Sequence, residues 1–496
     1  TYCTAQDVHL WPLEVASVRY LQDKSSIANA GITAAKGQSA ESALCLTLAR
    51  IGKGNLSDLT LDQLRFCFAG RTKAALIFDA IFGACSGAGA RPEARTGPLS
   101  PLPMPAMVGI ADSEALMPRT RSSFEGYRLL REYFMMPERF HYARIEGLQP
   151  TLRACAGRLD IVFLFKRPAP ELADLTPADF ELFATPIINL SERGCNVVEL
   201  APRKPPQPVY ADRTRPRDFE IFRITRVADA DHVGPEAAIP ELFSLGQNRG
   251  NGWVYSTERR PRRATEDERR QGVTRASYVG DDVFLSVSRR PDGARSDRPK
   301  RIDIVALCTN RDLPILDDTP TLTLDGGDPV ESIRLIGALR QPQRSIAASL
   351  PAGAEGESRA DELAWRLVSQ LSLNFLSLAA DGRGADPLHA LIDLYAERGD
   401  PGLARHVRSI ARVSSRPVVE RLAIDGPMCF GRGVEVTLDI DQSVLTGHSA
   451  LLLSALLSRL FARYAGINGF VRTRSRLLQK QEDVLWPMSP GNRHLI

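Results

Sequence analysis

The chain has 496 residues, 43% of them apolar and 25% charged, which is the balance of a folded protein and excludes a disordered or fibrous one. Its 63 basic residues nearly cancel its 59 acidic ones, so the net charge of +4 argues against nucleic acid as the main partner. The longest apolar run, Ala450 to Leu457, is interrupted by Ser454 and too short for a membrane span, while the length calls for more than one hydrophobic core.

From Trp11 to Phe82 the pattern is of short β segments and one helix. Leu59, Leu61, Leu64, Phe66 and Phe68 alternate in part before a turn at Gly70, and Lys73 to Phe82 has helical spacing. Between Gly83 and Pro118 small residues and prolines dominate, with Pro98, Pro101, Pro103 and Pro105 close together, which reads as a linker. Residues 1–118 are therefore expected to form a β-rich N-terminal region ending in a linker at 83–118.

The stretch from Arg121 to Leu148 is the most strongly patterned. Ser122 and Glu125 have capping-box spacing, which predicts a helix over 122–136. Tyr127, Leu130 and Phe134 then fall on one helical face, Arg128 and Glu132 stand four apart, and Pro137 stops the helix. Phe140 and Tyr142 open a short strand closed by a turn at Gly147. Such an aromatic stripe, to which Tyr133 also belongs, is either core or a buried partner surface, and core is preferred because these stripes are usually buried.

Strand signals follow at Leu159–Phe165, Pro186–Leu190, Asn196–Leu200 and Phe219–Val227, with Arg223 and Arg226 facing away from the core. Arg259, Arg260, Arg262, Arg263, Arg269 and Arg270 lie within 248–275 among acidic residues, and this segment reads as a solvated loop. Val283–Val287 and Ile302–Leu307 read as a hairpin whose connection contains the turn Pro291-Asp292-Gly293. A central β-rich domain over 119–345, opened by the 122–136 helix, is the expectation.

After a Gly/Ala/Ser-rich linker at 345–360, the period changes. Trp365, Val368, Leu371, Phe375 and Leu378 follow helical spacing, as do Leu388, Leu391, Ile392 and Tyr395, and again Leu453, Leu457, Leu460 and Tyr464. Val434, Val436 and Leu438 alternate as a strand between them, so 346–496 is expected to be an α+β C-terminal domain. The fold class as a whole is multidomain α+β.

No catalytic constellation accompanies these elements. The eight cysteines stand at least eighteen residues apart, without metal spacing, and read as buried thiols of a cytosolic chain. No two histidines form a metal-binding face, and Asp439-Ile440-Asp441 lacks the later glycine and glutamate of a calcium loop. Asp325-Gly326-Gly327-Asp328 and Asp317-Asp318 read as turns, and no phosphate-binding loop or nucleophile elbow is present. No catalytic, cofactor-binding or metal residue is assigned, and an enzyme is not expected. The rival readings are an anionic-polymer or nucleic-acid binder using the arginine clusters, and a metal-dependent hydrolase using the aspartate pairs.

The run Gly126-Tyr127, Leu129-Leu130, Glu132-Tyr133-Phe134, Pro137-Glu138 and Phe140 resembles the signature of the TssF family, also called ImpG or VasA, of type VI secretion baseplate subunits. Further blocks match in the family's order: Leu10–Val15, Pro186–Leu190, Asp218–Ile224, Ala306–Pro314, Trp365–Leu378, Gly431–Asp441 and Tyr464–Phe470. Two departures are visible. The chain opens at Thr1 and reaches the Leu10 block within ten residues, which reads as a missing N-terminal segment, and Ser191 replaces an aromatic residue of the family.

The resemblance implies a cytoplasmic structural wedge subunit without a cofactor, docked at the inner-membrane complex and itself not inserted in the membrane. It implies assembly as two TssF copies with one TssG around the VgrG spike, joined by TssK and TssE, as the platform for the contractile tail tube and sheath. Tyr127, Leu130, Tyr133, Phe134, Phe140, Trp365 and Phe375 are the residues expected to support partner faces or the core beneath them.

Overall fold

The computed structural model describes residues 1–33, 40–93, 97–119, 124–200, 206–234, 237–243, 252–262, 278, 280–290, 298–316, 321–327, 330–337, 339–343, 365, 385–396, 401–421, 429–445, 447–480 and 482–491. The fold is α+β. Instead of three successive segments, the chain forms two compact units: Thr4–Pro186 joined by Ser372–Ile496, and Ile187–Leu371 with Thr1–Cys3. Among the described residues no helix is long and apolar enough to cross a membrane.

The larger unit begins with strands β1 (Leu13–Leu21) and β2 (Ser42–Arg50), followed by β3 (Leu64–Phe68), helix α1 (Arg71–Asp79), β4 (Cys85–Pro92), β5 (Ser100–Leu102) and β6 (Ala106–Met107). Helix α2 (Glu125–Met135) precedes β7 (Tyr142–Ile145), β8 (Arg158–Phe165) and β9 (Phe180–Leu182). An antiparallel five-stranded sheet runs β1-β2-β8-β4-β5, and a four-stranded one runs β9-β3-β7-β6.

Strand β2 is apolar on both faces because both are covered. Leu44, Leu46 and Leu48 enter the main core, while Ala43 and Cys45 meet Ile27, Leu99, Val162 and Leu164 on the other side. Inside this sheet Asp160 is buried, accepting from Thr47 at 2.8 Å and pairing with Arg91 at 3.4 Å and Arg19 at 3.7 Å, so its charge is met.

The expected linker at 83–118 is instead part of this core. Ala88, Gly89 and Ala90 lie in β4, and a side chain at Gly89 would bring its Cβ within 2.6 Å of Leu99 Cβ. The small residues serve close packing. Composition alone cannot separate that from a loose connection.

The smaller unit is a β-sandwich. Its strands are β10 (Ser191–Gly194), β11 (Val198–Glu199), β12 (Gln207–Val209), β13 (Glu220–Asp229), β14 (Trp253–Pro261), β15 (Asp281–Arg289) and β16 (Arg301–Thr309). β16 pairs with β10 and β11 on one side and β13 on the other, while β12-β15-β14 form the second sheet. Val283 and Leu285 face Ile302, Ile304 and Ala306 in one core.

Two expectations fail here. β15 and β16 belong to different sheets and are not a hairpin, and their connection at 291–297 lies outside the described residues. Arg259 and Arg260 lie on strand β14, not in a loop. Ile221, Ile224 and Val227 are all buried despite their spacing of three, because bulges at Ile221/Arg223 and Ile224/Arg226 each insert a residue and reset the alternation.

The chain then returns to the larger unit with α3 (Asp386–Ala396), α4 (Pro401–Arg408), β17 (Ile410–Arg421), β18 (Phe430–Ile440), α5 (Ala450–Tyr464), β19 (Phe470–Leu477), β20 (Glu482–Leu485) and β21 (Ser489–Pro490). β17-β18-β19-β20 form a sheet in which β18 and β19 run parallel, connected through α5, and β21 also pairs with β19. Ser449 caps α5 by accepting from Leu452 N at 2.9 Å. Almost every side chain of α5 is buried, and Leu456, Leu457, Leu460 and Phe461 share a core with Phe66, Phe78, Leu130, Phe134 and Phe163. Only Arg459 is exposed and Arg463 half-buried, so the helix is enclosed on all but one narrow side.

Gly126 lets α2 lie close against α5. A Cβ there would stand 2.7 Å from Leu460 Cδ1, and Leu460 is itself fully buried. Gly126→Leu is expected to destabilise the larger unit by about 1–3 kcal/mol, as overpacking does. A thermal melt of the intact chain checks this, and an unchanged melting temperature would mean the helices separate at no cost.

Candidate interaction faces

Helix α2 starts at Glu125 with Phe124 at its N-cap, and no side chain caps it there; Ser122 and Ser123 of the expected capping box lie outside the described residues. Glu125 instead accepts from Arg128 at 2.8 Å and from Arg119 at 3.3 Å. The helix ends at Met135, Met136 closes it, and Pro137–Phe140 form a 3-10 turn. Phe140 thus precedes the strand instead of opening it.

Leu130, Tyr133, Phe134 and Phe140 are fully buried. The Tyr133 hydroxyl meets His406 Nδ1 at 3.1 Å, and burial pushes its pKa up. Tyr127 is half-buried, stacking on Tyr395 with centroids 6.0 Å apart and accepting from the Tyr464 hydroxyl at 3.3 Å. The stripe is therefore a seam within the larger unit. Four of its five residues have no surface left for a partner.

Its polar flank is a buried charge network. Arg128 pairs with Glu132 at 3.1 Å and with Asp112 at 3.2 Å, and Arg463 of α5 also contacts Asp112. Glu132 contacts Arg139 as well, and its other oxygen accepts from the backbone N–H of Met117 at 2.9 Å and of Leu116 at 3.1 Å. Arg139 donates to the carbonyls of Gly109 at 2.8 Å and Glu114 at 2.7 Å, and burial lowers its pKa to about 9. Charges removed from water survive only when met this closely.

Of the other two expected residues, Phe375 lies outside the described residues. Trp365 of the smaller unit is 73% exposed, so it packs no core there. Its exposure suits a contact with another chain.

A cleft of the larger unit, about 170 Å³, is lined by Thr72, Leu76, Asp79, Gln442 and His448. It falls below the roughly 300–1,000 Å³ of small-molecule sites. Asp79 accepts from Ser449, and burial raises its pKa to about 6, while burial lowers that of nearby His141 to about 4. Among the described residues no three metal-ligating side chains converge, and a second pocket beside Tyr210 and Asp281 holds about 20 Å³, room for a water.

The two shifts act oppositely on stability. Asp79 binds its proton more tightly when folded, so its contribution weakens the fold as pH rises from 3.8 to about 6. His141 binds its proton less tightly when folded, so its contribution strengthens the fold as pH rises from about 4 to 6.5. Asp79→Asn is expected to leave the second slope alone, and the variant's melting temperature then climbs more steeply with pH across this window than the wild type's. Parallel curves would mean Asp79 does not titrate there.

Of the arginines of the 248–275 segment, Arg263, Arg269 and Arg270 lie outside the described residues, and Arg259 and Arg260 are engaged. Arg259 donates to the carbonyls of Ile221, at 3.0 Å, and Phe222, and Arg260 pairs with Glu258 at 2.7 Å while lying over the Phe284 ring. Exposed apolar side chains are scattered over both units, among them Leu10, Ile51, Val419, Phe430 and Ile467 in the larger and Val233 and Phe243 in the smaller. Periodicity in the sequence does not single them out. Their signal, an apolar residue at a strand end or loop, is shared with ordinary core positions.

The family model described as "Type VI secretion system, TssF" matches residues 1–493. The type VI secretion system component TssF1 of Pseudomonas aeruginosa PAO1 is 35% identical, over 99% of this chain and 79% of its own. A chain of the type VI secretion system TssK-TssF-TssG baseplate subcomplex, solved by cryo-electron microscopy, shares the fold with a TM-score of 0.69 at 19% identity, over 99% of this chain and 84% of its own.

Proposed function

The chain belongs to the type VI secretion system TssF family, and from that premise we propose that it is a structural wedge subunit of the baseplate. In this reading it assembles with TssG, a second copy of itself, TssK and TssE around the VgrG spike. The assembly is the platform on which the contractile tail tube and sheath grow, in the cytoplasm and docked at the inner-membrane complex. Its work is recognition, not catalysis.

The observation that carries this reading is the fold shared along 99% of the chain with a component of the TssK-TssF-TssG subcomplex. The network around Glu132 and the enclosed helix α5 support it, because a subunit that must hold several neighbours in fixed geometry needs a rigid body. The anionic-polymer reading is less favoured, since Arg259 and Arg260 of its cluster are spent on carbonyls and on Glu258.

Co-expression with the TssG and TssK of the same bacterium, followed by the mass of the purified complex, tests the proposal. Two copies of this chain per TssG is the expected result. A chain that stays monomeric beside both partners overturns it.

A further inference from the structure

We propose that the outer end of the β17–β18 hairpin is a docking face for an acidic protein segment with an apolar anchor. This rests on the reading of the chain as an assembly subunit and names the chemistry of one partner contact.

Side chains of paired strands alternate between two faces, and the register sets Val419 opposite Arg432 and Arg421 opposite Phe430. These four therefore share one face. Nearer the body of the unit the same face carries Val413, Val436 and Leu438, all buried in the core. Val434 is half-buried, and beyond it Val419 is 64% exposed and Phe430 65% exposed. The apolar stripe thus continues past the elements that cover it. β19 begins its pairing opposite Gly433, so among the described residues Phe430 to Arg432 have no neighbouring strand on that side.

Charge distinguishes this end from the opposite face of the same sheet. There each central arginine is matched: Arg416 with Glu435 at 2.6 Å, Arg472 with Glu420 and Glu435, and Arg474 with Asp483 at 3.2 Å. Arg421 and Arg432, both exposed, have no carboxylate partner among the described residues. Two guanidinium groups, unmatched among the described residues and flanking a valine and a phenylalanine, complement carboxylates flanking an apolar side chain. Recognition falls to side chains more than to strand addition, because Pro417 interrupts the row of N–H donors along β17, the sheet's edge, and the open stretch of β18 is only Phe430 to Arg432. A polynucleotide fits less well, since its charge repeats along a backbone while the arginines here stand beside an aliphatic residue and a single ring.

The test is fluorescence anisotropy of a labelled peptide that alternates glutamate with leucine and phenylalanine, titrated with the intact chain. Saturable, salt-sensitive binding is expected, weakened about tenfold or more by Arg421→Glu with Arg432→Glu. Val419→Ser with Phe430→Ser is expected to weaken it at low and high salt alike. Both pairs lie on exposed positions, and an unchanged melting temperature establishes that they fold. No binding by the wild type, equal binding by both variants, or displacement by duplex DNA at lower concentration than by unlabelled peptide overturns the proposal.

Complex formation with TssG and TssK is measured in parallel. Peptide binding at the hairpin without any complex sinks the wedge reading and leaves the docking face standing. A complex without peptide binding does the reverse.

Discussion

Glu132→Ala is expected to cost the larger unit about 3–5 kcal/mol, as the loss of one partner from a buried charge network does. Glu132 stands between Arg128 and Arg139, all three buried, and also receives the N–H groups of Leu116 and Met117. Its removal leaves the buried Arg139 guanidinium with backbone carbonyls but no paired carboxylate among the described residues, while Arg128 keeps Glu125 and Asp112. Burial already lowers the pKa of Arg139 to about 9, so that group is the more vulnerable of the two. Glu132→Gln keeps the acceptor for the two amides while losing the charge, and its effect should be smaller. Urea unfolding of the intact chain, followed by circular dichroism, separates the two variants. A loss below about 1 kcal/mol for the alanine variant would mean that the network contributes no more than an exposed pair.

Phe134→Ala and Trp365→Ala should part in the opposite sense from a reading that makes both of them interface. Phe134 is fully buried beside Tyr133, with ring centroids 5.1 Å apart, and its truncation is expected to destabilise the chain by about 3–5 kcal/mol. Trp365, 73% exposed, should change stability by about 0.5 kcal/mol or less. In co-purification with TssG and TssK the order reverses. Folded Phe134→Ala chains should still enter the complex, while Trp365→Ala is the variant expected to weaken capture. Capture lost by refolded, stable Phe134→Ala chains and unaffected by Trp365→Ala would return the stripe on α2 to the status of a binding surface.

The stripe itself was legible in the sequence. Tyr127, Leu130 and Phe134 at helical spacing, Arg128 and Glu132 four apart, and Pro137 as a stop all recur in α2. Such signals are local, because a helix brings together residues three and four apart whatever surrounds it. The charge network on its flank was not legible. Asp112, Arg139 and Arg463 reach α2 from three other places in the chain, and no spacing announces a pair that lies 351 residues apart.

By itself, then, the sequence determined the strands and helices with a clear period, the absence of a membrane-spanning helix pattern, and the family through eight ordered blocks. Only the tertiary structure decided that 4–186 and 372–496 close over one core, with the unit that contains the β-sandwich, 187–371, inserted between them in sequence. The physical reason is that apolar burial is non-directional: Leu460 satisfies the same hydrophobic requirement against any close-fitting face, and the entropy of closing the chain over a long insertion rises only slowly with its length. Which face is taken depends on fit. The bare Gly126 on α2 and the small residues of β4 supply that fit, and neither carries a hydrophobic signal that a periodic reading could find.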